Sequence, residues 1–493
     1  MRENGVLLPI FALPSEYGIG CFSKEAYAFV DTLKRAGQRW WQILPLGPTG
    51  YGDSPYQSFS TFAGNPYFIN LEQLKESGLL TKEELESEDF GEEGNSIDYE
   101  KLYHARSRIL FKAFKRFRPL ADSDYAAFLK DNEFWLDDYC AYMAIKDKYD
   151  GKPWTKWDEP LRKREPGAMR KARLELEEEI NFYRFQQFIF WRHWCWLHSY
   201  ANANGIGIIG DIPIYVAFDS ADTWANPDLF QFDEDMEPIA VAGCPPDGYA
   251  AKGQLWGNPL YRWDYHKSTG YAWWMKRISY CMRQYDMLRI DHFRGFESYY
   301  SVPYGDEDAS GGHWEEGPGI DFFDTLKKEI GAARIIAEDL GFLTESVRDL
   351  VKQTGYPGMK VLEFAFDSSE ASDYLPYHYD NNCVVYTGTH DNDTIQGWYR
   401  SLNEHDRNFS VRYMNNGRTP VSEIHMDFVR LAMSSVADLC IIPIQDLMGL
   451  GHEARINEPS TLGGNWKWRL AKGQLPGDLS VRLRELTRIY GRL

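Results

Sequence analysis

Three apolar runs end in acids. They are "MLRIDHFRG" (287–295), "ARIIAEDLG" (333–341) and "CVVYTGTHD" (383–391). In an extended chain residues i and i+2 point the same way, so Arg289 and Asp291 share one face while Leu288 and Ile290 share the other. If the charged face turns into a core, both groups lose water and are stable only as a pair. Glu338, Asp339, His390 and Asp391 stand at equivalent run ends, as do Asp211 and Gln445. Any one of these acids is accounted for as a helix cap or a strand-end ion pair. Three acids on separate strands, flanked by Arg289 and His390, ask for a joint explanation. One is a Mg²⁺ site of the enolase type, which a neighbouring Arg would weaken. The other is retaining glycoside chemistry, with an ionised carboxylate nucleophile and a protonated carboxyl about 5–5.5 Å away. Arg289 beside Asp291 favours ionisation of that acid, whereas Glu338 has no local cation. The pattern therefore suggests Asp291 as nucleophile, Glu338 as acid/base, and His390 and Asp391 as holders of sugar hydroxyls.

These residues need elements that bring run ends together. Short apolar runs at 39–48, 206–216, 286–293, 333–341, 358–366, 383–391 and 439–447 read as strands, most preceded by a helical pattern. Alternation of this kind implies a parallel sheet, and near-continuous apolar strands imply burial on both faces. With an eighth strand placed near 256–264, the units close an α/β fold of the (β/α)8 TIM-barrel type. In such a barrel all the polar run ends meet on one face. We expect one barrel domain over 1–493, with a largely helical insertion after the first strand at about 50–200. A second insertion, about 217–260, is rich in Pro, Asp and Gly and carries the active-site loop. A doubly wound open sheet is the rival, but the Gly-rich strand-to-helix turn it calls for is missing at the right place.

Composition narrows the partners. A net charge of −19 over 493 residues opposes nucleic acid and anionic membranes. One basic cluster, "RKREPGAMRKAR" (162–173), runs into "LELEEEI", and the two blocks are expected to neutralise each other on a solvated helix. No apolar run reaches the roughly 18–20 residues of a membrane helix, and the N-terminal stretch lacks a signal-peptide pattern. The seven scattered cysteines, with no CxxC, fit reduced thiols in a cytoplasmic protein. With 17 Trp and 31 Tyr, most aromatics must be core. Those in the Gly- and Pro-rich segments 50–60, 253–263 and 463–469 suit the flat faces of sugar rings.

"RIDHFRG", "AEDLG" and "TGTHDND" resemble the catalytic blocks of the α-amylase superfamily on strands 4, 5 and 7. "GYGDSPYQSFSTFAGNP" (50–66), "GDIPIYVAFDSADTWANPDLF" (210–230), "PPDGYAAKGQLWGNPLY" (245–261) and "GGNW" (463–466) are similar to its amylomaltase branch, the 4-α-glucanotransferases or disproportionating enzymes. The resemblance runs in order from about residue 5 to residue 470. It implies a (β/α)8 barrel with insertions, no C-terminal β-sandwich, and no metal or organic cofactor. It implies transfer of an α-1,4-glucan segment, with retention, to the 4-OH of another glucan or of glucose. By the same resemblance Asp291 is the nucleophile, Glu338 the acid/base and Asp391 the third carboxylate, with Arg289 and His390 in support. Tyr56 matches the aromatic that stacks on the donor ring, and Asp211 the acid of the first barrel block. Trp256 lies on the acceptor side, at the end of a loop over the cleft (244–256) in which Tyr249 replaces the family's usual Phe. Ser54, Gln254, Phe364 and Asn465 complete the implied sugar contacts. An α-glucan hydrolase with the same acids and a catalytically silent glucan-binding barrel are the competing readings.

Overall fold

The computed structural model describes all residues except 1, 51, 120–121, 247–250, 342, 370–371 and 462. Twelve strands are described: β1 (Glu3–Leu7), β2 (Trp40–Gln42), β3 (Gly207–Pro213), β4 (Ala240–Cys244), β5 (Gln254–Pro259), β6 (Met287–Asp291), β7 (Ser298–Pro303), β8 (His313–Glu316), β9 (Ile335–Ala337), β10 (Gly358–Val361), β11 (Cys383–Tyr386) and β12 (Leu439–Pro443). Eight of them close a barrel in the order β1-β12-β11-β10-β9-β6-β3-β2, each parallel to its neighbours.

The eighth barrel strand is therefore β1 at the N-terminus, not a segment near 256–264. Its sequence, "ENGVL", hides it because packing demands residues that break an apolar run. A Cβ on Gly5 would collide with the Trp40 carbonyl oxygen, so nothing larger fits between β1 and β2. The Asn4 side chain donates to Thr487 Oγ1 at 3.0 Å, tying the barrel to the final helix, Leu479–Ile489. The segment near 256–264 begins instead with β5. β5 pairs antiparallel with β4 in a second sheet of order β5-β4-β7-β8. That sheet joins the excursion after β3 to the one after β6, and its strands β7 and β8 have no counterpart among the expected apolar runs. The long helical stretch also follows the second barrel strand, β2, and ends in the helix Glu177–Ala203 that returns the chain to β3. Its Phe182, Phe185 and Phe188 pack among Phe111, Phe114, Phe117 and Phe128 of the preceding helices.

The strands bury both faces differently. Leu7, Trp40, Ile209, Ile336, Met359, Val361, Val384, Tyr386, Leu439 and Ile441 fill the barrel interior as one apolar cluster. The alternate residues, including Leu288 and Ile290, pack outward against the helices. The interior thus grades along each strand. On β3 it passes from Ile209 to Asp211, and on β6 from Met287 to Arg289 and Asp291, so the carboxyl-terminal end is charged. The basic cluster at 162–173 is split by Pro166 between two short helices. Arg164 and Arg173 both reach Asp138, so much of its charge is met outside the acidic block that follows it in sequence. Among the described residues no helix is long and apolar enough to cross a membrane, and none of the seven cysteines forms a disulfide.

Gly207 tests the tightness of the barrel interior. A Cβ there would stand 2.5 Å from the Trp40 ring. Gly207→Val is expected to lower unfolding free energy by about 1–3 kcal/mol, read by urea denaturation.

Candidate active site

The site is built from the ends of barrel strands and the loops that leave them. Asp211 and Arg289 are register partners on adjacent strands. Arg289 Nη1 donates to both Asp211 oxygens at 2.9 and 2.8 Å, and Nη2 donates to Asp291 Oδ1 at 2.9 Å. One guanidinium therefore bridges two carboxylates. The Arg289 and Asp211 side chains are 3% and 0% exposed, while Asp291 keeps 28% of its side chain open. Asp211 is a structural counter-charge for the Arg, and Asp291 is the member that meets the cleft. Tyr56 completes the chain by donating its hydroxyl to Asp211 Oδ2 at 2.7 Å.

Glu338 follows β9. Its Oε2 accepts the His292 backbone N–H at 2.6 Å and its Oε1 accepts the Leu340 N–H at 2.9 Å. Its neighbour Asp339 turns away to accept the Met359 N–H at 2.7 Å on the next strand, so only one of the two adjacent acids serves the site. His390 and Asp391 lie on the loop after β11, with His390 Nε2 3.3 Å from Asp391 Oδ2. The His390 ring is buried and stacks on Tyr56, centroids 5.1 Å apart and 15° from parallel. Trp466 packs tilted against both rings.

The electrostatics separate the three acids. Burial, with Asp211 and Asp391 adding to it, pushes Asp291 up to about 6 against the smaller downward pull of Arg289. Arg289 acts in the expected direction, favouring the ionised acid, but desolvation of the deep site outweighs that one ion pair. Burial and the charge of Asp291 push Glu338 up to about 7. Burial also opposes ionisation of Asp391, but His390, the Asn457 amide and Arg289 together bring it down to about 2. His390 moves the opposite way: burial lowers it, and the adjacent Asp391 raises it by more.

The remaining expected contact residues make local interactions. Ser54 Oγ accepts the Tyr56 N–H at 3.3 Å, shaping the loop that presents Tyr56. Gln254 Oε1 accepts the Trp256 indole N–H at 3.1 Å, and the Trp256 ring stands edge-on to His292 at 4.7 Å. Phe364 is exposed, with an edge contact to Tyr374. Asn465 Oδ1 accepts the Glu458 N–H at 3.0 Å and its Nδ2 donates to Thr461 Oγ1 at 3.1 Å, so it organises its own loop. Tyr249 lies outside the described residues. Gln445 is buried under the site and donates to the Ala454 carbonyl.

Two participants escaped the sequence reading. His292 adopts a left-handed backbone (φ 54°), which aims its N–H at Glu338, and burial lowers its ring to about 3, so it is neutral at pH 7. Its position directly after Asp291 was the only signal for it. Asn457 donates to Asp391 Oδ1 at 2.6 Å from 66 residues away and had no sequence signal.

Fold and site define a (β/α)8-barrel protein with three carboxylates gathered where its strands end. A family model described as 4-alpha-glucanotransferase matches residues 8–475. The chain is 47% identical to a Clostridium butyricum 4-alpha-glucanotransferase over 485 residues, covering 98% of this chain and 99% of that one. It is 45% identical to the Thermus thermophilus 4-alpha-glucanotransferase over 501 residues, covering 100% and 99%. The solved amylomaltase from Streptococcus agalactiae in complex with acarbose superposes with a TM-score of 0.96 at 40% identity, with full coverage of both chains. The chain belongs to the 4-alpha-glucanotransferase family.

Removing the bridging cation leaves Asp211 and Asp291 facing each other without compensation. Arg289→Leu is expected to destabilise the barrel by about 3–5 kcal/mol. Chemical denaturation reads this directly, and an unchanged midpoint would contradict the pairing.

Proposed function

We propose that this family member transfers α-1,4-glucan segments by double displacement through a covalent glycosyl-aspartate. In the first step an Asp291 oxygen attacks C1 of the donor ring while the Glu338 O–H protonates the departing glycosidic oxygen. In the second, the 4-OH of an acceptor glucan or glucose attacks C1, the bond to Asp291 breaks, and Glu338 takes the hydroxyl proton. The observation that carries the reading is the Arg289 bridge: it fixes Asp291 by Oδ1 and favours its ionised form. Asp391, held ionised, suits binding of donor-ring hydroxyls and stabilisation of positive charge developing at C1. Tyr56 would stack on the donor ring, with Ser54 shaping its loop and Asp211 holding its hydroxyl. Phe364 and Asn465 would line the donor and flanking positions, while Trp256, Gln254 and Tyr249 would serve the acceptor side.

An acceptor sugar positioned on aromatic faces competes with water through orientation and water exclusion. The acarbose complex of the 40%-identical relative supports a sugar-like occupant for the cleft. The thiols, none in a disulfide, support a cytoplasmic setting. One barrel domain carrying the helical excursion and the active-site loop as insertions accounts for the arrangement of these parts.

Incubation with maltotriose should yield glucose together with chains longer than the substrate. Products all shorter than maltotriose would refute transfer. Asp291→Asn should reduce turnover by at least about 10³-fold while glucan binding persists, and EDTA should leave the parent rate unchanged. The pH profile follows from the two acids. The first step needs Asp291 ionised and Glu338 protonated, so activity falls below about 6 as Asp291 takes a proton and above about 7 as Glu338 loses one. A profile flat from pH 5 to 9 would contradict the assignment.

A further inference from the structure

The loop that carries His390 and Asp391 has no regular secondary structure of its own. Within it, Asn392 Oδ1 accepts the Thr389 N–H and hydroxyl, each at 2.9 Å. Among the described residues of the loop, only His390 meets the Asp391 carboxylate. Its position is set from outside, by a strap that leaves the end of β12 and runs over the loop at 452–457. Arg455 Nη2 donates to the Asp391 carbonyl at 3.0 Å, and Arg455 Nε donates to the Asn457 carbonyl at 2.8 Å. The Asn457 N–H donates to the His390 carbonyl at 3.1 Å. Its side-chain amide donates to Asp391 Oδ1 at 2.6 Å. The strap is itself pinned: the Trp466 N–H donates to the Ile456 carbonyl at 2.7 Å, and Trp466 packs on Tyr56 and His390.

We propose that Asn457 is a positioning residue for the third carboxylate. It fixes Asp391 through one oxygen while His390 fixes it through the other. With both oxygens held, the carboxylate cannot rotate, and the lone pairs that remain point at the donor ring. The proposal rests on the reading of Asp391 as the third catalytic carboxylate and adds to it the group that orients that acid. An amide is the suitable partner because it supplies an N–H without charge. A cation at this place would compete for Asp391 with the charge developing on the sugar, and an acid would repel it. The charged and titratable groups facing Asp391 are His390 on its own loop, Arg455 on the strap, Arg289 and Asp291 on β6, and Tyr56 on the loop after β2.

The test compares kcat and KM for maltotriose disproportionation in Asn457→Ala, Asn457→Asp and Asp391→Asn, with melting temperatures measured alongside. Losing a hydrogen bond to a charged group should lower kcat of Asn457→Ala about 10- to 100-fold, with KM within about threefold of the parent. Asn457→Asp keeps the size of the side chain but places a second carboxylate against Asp391. At pH 7 it should fall further than Asn457→Ala, and its rate relative to the parent should rise as pH is lowered and the new acid gains a proton to donate. A kcat within twofold of the parent in Asn457→Ala would overturn the proposal. So would a raised KM with kcat preserved, or losses in both Asn457 variants that are equal at every pH. If Asp391→Asn itself keeps full turnover, the underlying reading of Asp391 fails, an outcome distinct from failure of the Asn457 variants alone.

Discussion

The site depends on one guanidinium held in the barrel. Arg289 is almost without solvent, and it is tolerable there only because Asp211 and Asp291 both meet it within 2.9 Å. Two acids against one cation leave the group with a net negative charge, which the desolvated interior resists. Burial pushes Asp291 up despite its ion pair, with that excess adding to it, and burial together with the charge of Asp291 pushes up Glu338.

The barrel sustains this charge by grading its interior. Below the charged layer the strands contribute Leu7, Trp40, Ile209, Met359, Val384 and Ile441, and the packing is close enough that Gly5 and Gly207 have no room for a side chain. A rigid floor of this kind fixes the strand ends. The loops above it, which carry Tyr56, His390 and Asp391, are held by side-chain hydrogen bonds and stacked rings. The second sheet, β5-β4-β7-β8, brings Trp256 to His292, which directly follows the strand that supplies Asp291.

Much of this was legible in the residues. The period of two put Arg289 and Asp291 on one face, and burial of Leu288 and Ile290 on the other follows that pattern. Seven of the eight barrel strands stand out as apolar runs. β1 does not, because its Asn4 and Gly5 answer to a helix and a backbone oxygen distant in sequence. β7 and β8 are equally hidden: β7, "SYYSVP", is buried but its apolar residues are broken by serines, and β8, "HWEE", is polar and largely exposed. The resemblance to amylomaltases, carried by blocks from end to end of the chain, anticipated the family to which the chain belongs.

The sequence by itself determined which residue types stand at the strand ends and which of them share a face, since alternation is a local property of an extended backbone. Only the tertiary structure decided their proton affinities, because burial depends on every element packed around the site, and at Asp291 it outweighs the pull of Arg289. Only it brought Asn457 to Asp391, and only it turned the His292 N–H toward Glu338. Those contacts join residues whose meeting is fixed by the closure of the barrel and the path of its loops, and no local pattern in the chain encodes them.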